Sequence, residues 1–150
     1  MKELFTIGYE QAKPAAVMDE IAGAKIDVLV DVRAVTSSRR PGFSKNQFSA
    51  ALGKEGVNYL HLQKLGTPSE GRQAARAGDY KRLWAIFDRH MKSAPAQDEL
   101  DQLVDLVKSG KRVCLMCYCR DPAHCHRSQI SAIVKKRARS SVKDLIPPLF

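Results

Sequence analysis

What is scarce in this chain narrows its class before any motif is read. No apolar run approaches the roughly 18 residues that a membrane span requires. The opening residues MKELFTIGYE lack the charged-then-apolar pattern of a secretory signal, so a cytoplasmic location and no membrane association are expected. No cysteine occurs before Cys114, and all 4 fall between Cys114 and Cys125. In a reducing compartment they read as thiols or ligands before disulfides. There is no internal repeat and no low-complexity segment. Acidic residues are the minority, 16 Asp and Glu against 25 Lys and Arg, leaving a net charge of +9. That surplus points to a polyanionic partner, nucleic acid being the commonest. What is present fits an ordinary globule: 150 residues, 44% of them hydrophobic, are enough for one domain with a real core.

The pattern along the chain alternates strands and helices. LFTIGY (4–9) reads as a short strand, and Pro14 opens a helix that ends near Gly23. IDVLVDV (26–32) is a continuous β-branched run, the mark of a strand buried on both faces. A basic loop, SSRRPGFSKN, precedes a helix capped by Ser44 and ended by Gly56. VNYLHLQ (57–63) is a strand, and KLGTPSEGRQAARAG (64–78) reads as a long polar loop. Residues 79–92 and 98–110 form amphipathic helices separated by Ser93-Ala94-Pro95. RVCLMCYC (112–119) is a buried strand, a basic helix begins near His126, and SVKDLI (141–146) supplies a last strand. The expected fold is a single three-layer, Rossmann-like α/β domain over 1–150, with a mostly parallel sheet of about five strands.

In open parallel sheets, ligands sit beyond the carboxyl ends of the strands. Gly8, Tyr9 and Glu10 follow the first strand; Asp31, Arg33 and the Ser37–Lys45 loop follow the second. His61 and the Lys64–Arg76 loop follow the third, and Cys117, Cys119, Arg120 and Asp121 the fourth, with His126 and Arg127 opening the next helix. Nearly every chemically capable residue falls on one rim.

The stretch CYCRDPAHCHRSQ (117–129) admits three readings. As a metal site it is poorly spaced: strand alternation sends Cys114 and Cys117 to opposite faces, and no second cysteine pair exists elsewhere. No metal and no cofactor are therefore expected. As a nucleophile, Cys119 sits near Arg120 and Arg127, which would lower its pKa. Cys114 to Arg120 fits a C-x5-R phosphate loop in form only, because LMCYC is strand where an amide-exposing loop is needed. As a scaffold, Cys-His-Arg at a helix start puts His126 and Arg127 where an anion could bind, with Arg127 also able to pair with Asp31.

TIGY (6–9), LVDVR (29–33), SSRRPGFSKNQF (37–48), GVNYLHLQKLG (56–66) and LMCYCRDPAHCHRSQI (115–130) together resemble, in order, the landmarks of the DUF488 family. The resemblance implies a compact cytoplasmic α/β domain and does not assign an activity. Many relatives read TIGHS where this chain has Thr6 to Glu10, so Glu10 stands as a replacement carboxylate. A weaker similarity to rhodanese-type domains fails at the missing glycine-rich loop.

Two basic loops (Arg39, Arg40, Lys45; Lys64, Arg72, Arg76) and the aromatics Tyr9, Phe43, Tyr59 and Tyr118 share the rim with Asp31. Cations neutralise phosphates, and aromatics stack on bases. Enzymes acting on a base turn it out of the helix into a pocket. The expectation is thus a nucleic-acid-processing enzyme on duplex DNA, foremost a DNA N-glycosylase acting on a modified base. In it Asp31 would activate water, His61 or His126 would relay a proton, and Lys64 would serve if lyase chemistry follows. Arg33, Arg39, Arg40, Phe43, Lys45, Arg72, Arg76, Arg120 and Arg127 would hold nucleic acid. Tyr9, Glu10, Tyr59, Tyr118 and Cys119 would line the pocket. The rivals are a non-catalytic nucleic-acid-binding module, and a rhodanese-like thiol or metal-dependent small-molecule enzyme using Cys117, Cys119 and Cys125.

Overall fold

The computed structural model describes residues 2–149. Its centre is a five-stranded, all-parallel sheet in the order β3-β2-β4-β1-β5. The strands are β1 (Lys2–Gly8), β2 (Val28–Asp31), β3 (Asn58–His61), β4 (Val113–Cys117) and β5 (Ser140–Leu145). The α-helices are α1 (Pro14–Gly23), α2 (Lys45–Lys54), α3 (Ser69–Arg76), α4 (Tyr80–Met91), α5 (Ala94–Lys108) and α6 (His126–Ala138). Among the described residues, no helix is long and apolar enough to cross a membrane.

The period of two in the strands divides the core. Leu4, Val28, Val30, Val113, Leu115 and Cys117 pack on one face with Phe87, Leu103, Ile130 and Val134 from α4, α5 and α6. Phe5, Ile7, Leu29, Cys114 and Met116 pack on the other with Val17, Ile21, Phe48 and Leu52 from α1 and α2. Two faces, each covered by helices, make the expected three-layer α/β architecture, and they explain why β2 and β4 read as unbroken apolar runs.

Local chemistry sets the helix starts. Pro14 occupies the first turn of α1. Asp79 caps α4 by accepting from Arg82 N at 3.2 Å, and Ser93 caps α5 by accepting from Ala96 N at 3.4 Å. Pro95 therefore lies inside the first turn of α5, which begins four residues before the expected start at 98.

The largest departure concerns residues 64–78, expected as a loop. They contain a 3-10 turn over Gln63–Leu65 and the helix α3. The buried residues of α3 are Gly71 and Ala74, too small to print an apolar period in a polar segment. A Cβ on Gly71 would meet Thr67 Cγ2 at 2.6 Å, so the small residue permits this packing.

The chain runs outward from β1 to β2 and β3 through α1 and α2 on one face. It returns to β4 and then β5 with α4 to α6 on the other. Strand β4 thus lies between two strands whose following segments leave toward the opposite layer. A crevice opens at the carboxyl end of such a strand.

Candidate functional site

That crevice is a pocket of about 220 Å³. Tyr9 enters it from the end of β1, and Arg33, Ala34 and Val35 from the end of β2. Cys117, Tyr118 and Cys119 come from the end of β4, and Cys125 and His126 from the start of α6. Thr67, Arg72 and Leu83 close the side formed by α3 and α4. Thr67 and Leu83 were not anticipated: Thr67 follows the Leu65-Gly66 landmark, and Leu83 belongs to the buried stripe of α4.

The convergence depends on close backbone approach. A Cβ on Gly8 would lie 1.8 Å from the Cys119 carbonyl oxygen, and one on Gly66 would lie 2.3 Å from Ala34 N. Both glycines of the TIGY and HLxxLG landmarks are therefore required by packing around the crevice, not by a turn.

Asp31 does not reach the pocket. Its side chain is fully buried, and it accepts from Arg33 Nε at 2.9 Å, Arg33 Nη2 at 2.8 Å, Arg33 N at 3.1 Å and Tyr59 Oη at 2.5 Å. Arg33 Nη1 donates onward to Tyr9 Oη at 3.0 Å and to the Phe43 carbonyl at 2.8 Å. Burial alone would push the Arg33 pKa down, but the bond and charge of Asp31 outweigh it and hold the guanidinium above its ordinary value. Burial, reinforced by the bond to Asp31, raises the Tyr59 phenol above its ordinary value. The partner of Asp31 is thus Arg33, two residues along the same strand face, and neither Arg120 nor Arg127. The catalytic role expected for Asp31 is corrected on this geometry: an enclosed carboxylate saturated by donors positions Arg33 and does not meet a substrate.

The cysteine and histidine end is organised by two buried side chains. Arg127, with no side-chain exposure and no carboxylate partner among the described residues, donates to Cys117 Sγ at 3.0 Å, to the Cys119 carbonyl, and to the Arg120 carbonyl at 3.2 Å. Burial pushes its pKa down. His126 Nε2 donates to the Val32 carbonyl at 2.7 Å, which leaves Nδ1 as the acceptor of a neutral ring. Burial pulls its pKa down to about 4. Burial also raises the thiols of Cys119 and Cys114. The sulfurs of Cys117 and Cys125 touch, yet their Cα atoms are 7.8 Å apart, beyond the roughly 4.4–6.8 Å that a disulfide spans. The structure pairs these two cysteines with each other and leaves Cys114 and Cys119 free.

The remaining expected site residues separate into three sets. Tyr9, Arg33, Arg72, Tyr118, Cys119 and His126 line the pocket. Arg39, Lys45 and Arg76 are exposed and available to a polyanion. The others are held elsewhere. Phe43 is fully buried, stacked on Tyr9 at 4.4 Å between ring centroids, so it is no wedge for a base. Arg40 donates to the Tyr9 carbonyl at 2.6 Å and to the Ala12 carbonyl, tying its loop to β1. Arg120 donates to the Pro147 carbonyl at 2.6 Å, and the burial of Arg33 and Arg127 removes both from phosphate contact. Glu10 accepts from Arg120 N at 3.0 Å and so clamps a loop. His61 Nε2 is bonded to the Arg33 carbonyl at 2.8 Å, and Tyr59 is held on Asp31. Lys64 is exposed, and its backbone is bonded to Glu99 and His90. Apart from Arg33, none of these last residues lines the pocket.

The fold and site define an α/β protein of the open parallel-sheet class with a small crevice at a topological switch point. Over residues 13–134 the chain matches the family described as domain of unknown function DUF488, and it belongs to that family. No curated protein is matched. No solved structure is matched.

Proposed function

We propose that the protein is a nucleic-acid-processing enzyme that takes one base, turned out of a DNA duplex, into the crevice between β2, β4 and β1. The observation that carries this reading is the crevice itself, small, walled by Tyr9, Val35 and Leu83, and bordered by Arg72 in a chain of net charge +9. At about 220 Å³ it is smaller than the roughly 300–1,000 Å³ of sites for drug-sized ligands, a size suited to a flat ring and not to a whole nucleotide. Tyr118, half of its surface exposed, sits at the pocket wall where a base or its neighbour can stack.

The reaction we favour is hydrolysis at a modified base, with N-glycosidic cleavage as the first case to test. Asp31 supports this chemistry indirectly, by fixing Arg33 at the wall. The titratable groups that line the pocket are cysteines, imidazoles, the Tyr9 and Tyr118 phenols and the guanidinium groups of Arg33 and Arg72, with no carboxylate among the lining residues. The same inventory favours a second reading, a thiol- or metal-dependent enzyme on a small molecule, through Cys117, Cys125 and His126.

One experiment separates the two. Duplexes carrying deaminated, alkylated and oxidised bases are incubated with the protein, and released bases are identified by mass while alkali reports abasic sites. Base release that saturates with duplex supports the nucleic-acid reading. Absence of both product and salt-sensitive DNA binding would overturn it.

A further inference from the structure

We propose that Cys117 and Cys125 are a redox pair that exchanges electrons with small thiols carrying a carboxylate, admitted through the crevice. This exchange rests on the second, thiol-based reading of the site and is independent of the DNA reaction. The structure joins the two sulfurs and leaves Cys114 and Cys119 free. Both partners line the crevice, Cys117 from the end of β4 and Cys125 from the N-cap of α6. A bond made only to staple a fold gains most by closing a long loop. This one spans a separation of 8 residues, between elements that share one apolar cluster, and it lies at a pocket wall.

The neighbouring groups suit a pair that opens. Arg127 is buried with no carboxylate partner among the described residues, and its Nη1 donates to Cys117 Sγ at 3.0 Å. Its Nε meets no hydrogen-bond partner among the described residues. A sulfur held in a neutral bond does not balance that cation, whereas a thiolate does. Cys117 is therefore the sulfur suited to leave. Cys125 Sγ lies 3.8 Å from His126 Nδ1, and the ring is fixed by the Nε2 bond to the Val32 carbonyl at 2.7 Å. Nδ1 offers a lone pair, so in the open state Cys125 is a thiol donating to it.

Those two environments order the steps. The thiolate of a small thiol attacks Cys125 Sγ and forms a mixed disulfide. The Cys117–Cys125 bond breaks, and its electron pair stays on Cys117 beside Arg127. A second small thiolate then attacks the substrate sulfur of the mixed disulfide, and Cys125 leaves and takes up a proton. Two small thiols have become one small disulfide, and the protein holds the two electrons. One thiol proton rests on Cys125 and the other passes to solvent. A different small disulfide runs the same steps backwards and restores the pair.

The lining selects the substrate. It carries Arg33 and Arg72 and no carboxylate, between apolar walls from Tyr9, Val35 and Leu83. Arg33 is spent on Asp31, Tyr9 and the Phe43 carbonyl, whereas Arg72 has no carboxylate partner among the described residues. Arg72 is thus the cation left for a substrate carboxylate. At about 220 Å³ the crevice suits a thiol of a few carbons.

For the test, the native intact chain is equilibrated with mercaptoacetate and its disulfide at varied ratios and quenched in acid. It is then unfolded, alkylated and mapped by mass spectrometry. Cys114 and Cys119 should label at the oxidising end, and all 4 cysteines at the reducing end. A mercaptoacetate adduct should be trapped on Cys125. Catalytic amounts of the chain should accelerate reduction of hydroxyethyl disulfide by mercaptoacetate. Cys125→Ser should abolish the acceleration, while Cys114→Ser, buried on the opposite face of the sheet, retains it. Arg72→Ala should raise KM for mercaptoacetate about tenfold and leave that for uncharged mercaptoethanol unchanged. Because a variant could fail to fold, the parent chain decides first. A pair that is reduced only in denaturant is a staple, and that result, or no acceleration by the native chain, would overturn the proposal. Exchange carried by an adduct on Cys119 with the pair intact would overturn the redox pair but keep the thiol reading. No reaction at any crevice cysteine would sink both.

Discussion

Replacing Asp31 with Asn tests whether this carboxylate holds the fold or performs the chemistry. The change keeps the volume and one acceptor oxygen, but sets an amide N–H₂ against donors. In the parent, Oδ2 accepts from Arg33 Nη2 at 2.8 Å and from Tyr59 Oη at 2.5 Å, while Oδ1 accepts from Arg33 Nε and N. Tyr59 can turn its hydroxyl to accept from the new amide, but Arg33 Nη2 has no acceptor role to offer. A buried guanidinium then loses its compensating charge, and breaking a buried pair from one side costs about 3–5 kcal/mol. For a chain of this size each kcal/mol moves Tm by about 2–4 °C, so the variant should melt roughly 6–20 °C below the parent. That is a large share of the roughly 5–15 kcal/mol that keeps a domain folded.

The assay is thermal and urea denaturation followed by circular dichroism, with DNA binding measured well below the melting range. Removing the partner as well should recover part of the loss. In the Asp31→Asn, Arg33→Met double variant no buried charge is left unpaired, so its penalty should be smaller than the sum of the two single penalties. A Tm within about 2 °C of the parent would refute the structural reading, since effects that small belong to substitutions at unconstrained surface positions. Loss of base release in a variant of unchanged stability would restore the catalytic role.

Three further outcomes follow from the same geometry. Gly8→Ala should unfold the rim or prevent accumulation of soluble protein, because its Cβ would lie 1.8 Å from the Cys119 carbonyl oxygen; normal thermal stability in this variant would contradict the packing. Tyr59 keeps its proton in the folded state above the ordinary value of 10.0, so its contribution is complete below that pH and is lost as pH rises past it. Burial raises the Tyr118 phenol as well, so alkaline ultraviolet titration should show delayed phenol ionisation before unfolding, and Tyr59→Phe should remove the Tyr59 share of that delay. Replacing Arg39, Lys45 and Arg76 with Ala should flatten the dependence of DNA affinity on salt, each lost phosphate contact lowering the log–log slope by about 0.9; an unchanged slope would place the nucleic-acid surface elsewhere.

Much of the sheet was legible because β-branched runs and period-two alternation are imposed by burial on both faces, as in Val28–Val30 and Val113–Leu115. The α3 helix was not, since its buried residues are Gly71 and Ala74 and its outer face carries Glu70, Arg72 and Arg76. At the site, the sequence placed Tyr9, Arg33, Cys119 and His126 on one rim, where they line the pocket, but could not state which atoms meet. Arg33 was read as a phosphate anchor although an i, i+2 relation in a strand already sets it on the same face as Asp31. Phe43, inside a basic loop, looked like an exposed aromatic; the stack on Tyr9 and the Arg33 bond to its carbonyl draw it inward. The meeting of Cys125 and His126 with Cys117 had no periodic signature, because it depends on a change of backbone conformation at the start of α6.

The family landmarks are thus mainly the supports of the crevice. Gly8 and Gly66 admit close backbone contacts, Asp31 and Arg33 tie β2 to Tyr9 and the Phe43 loop, and His61 holds the Arg33 carbonyl. Each is consumed by bonds or packing within the protein, so none is free to react. Chemistry is left to groups that face the pocket, and these come chiefly from the segment between Cys117 and Arg127. Within that segment Arg127 is again a support, bonded to the Cys119 and Arg120 carbonyls. What remains are the thiols, His124, His126 and the Tyr118 phenol. A reaction that needs a water nucleophile at neutral pH must then obtain it from sulfur- or imidazole-bound metal or from imidazole itself. His126 is a poor base on its own, because burial pulls its pKa down to about 4.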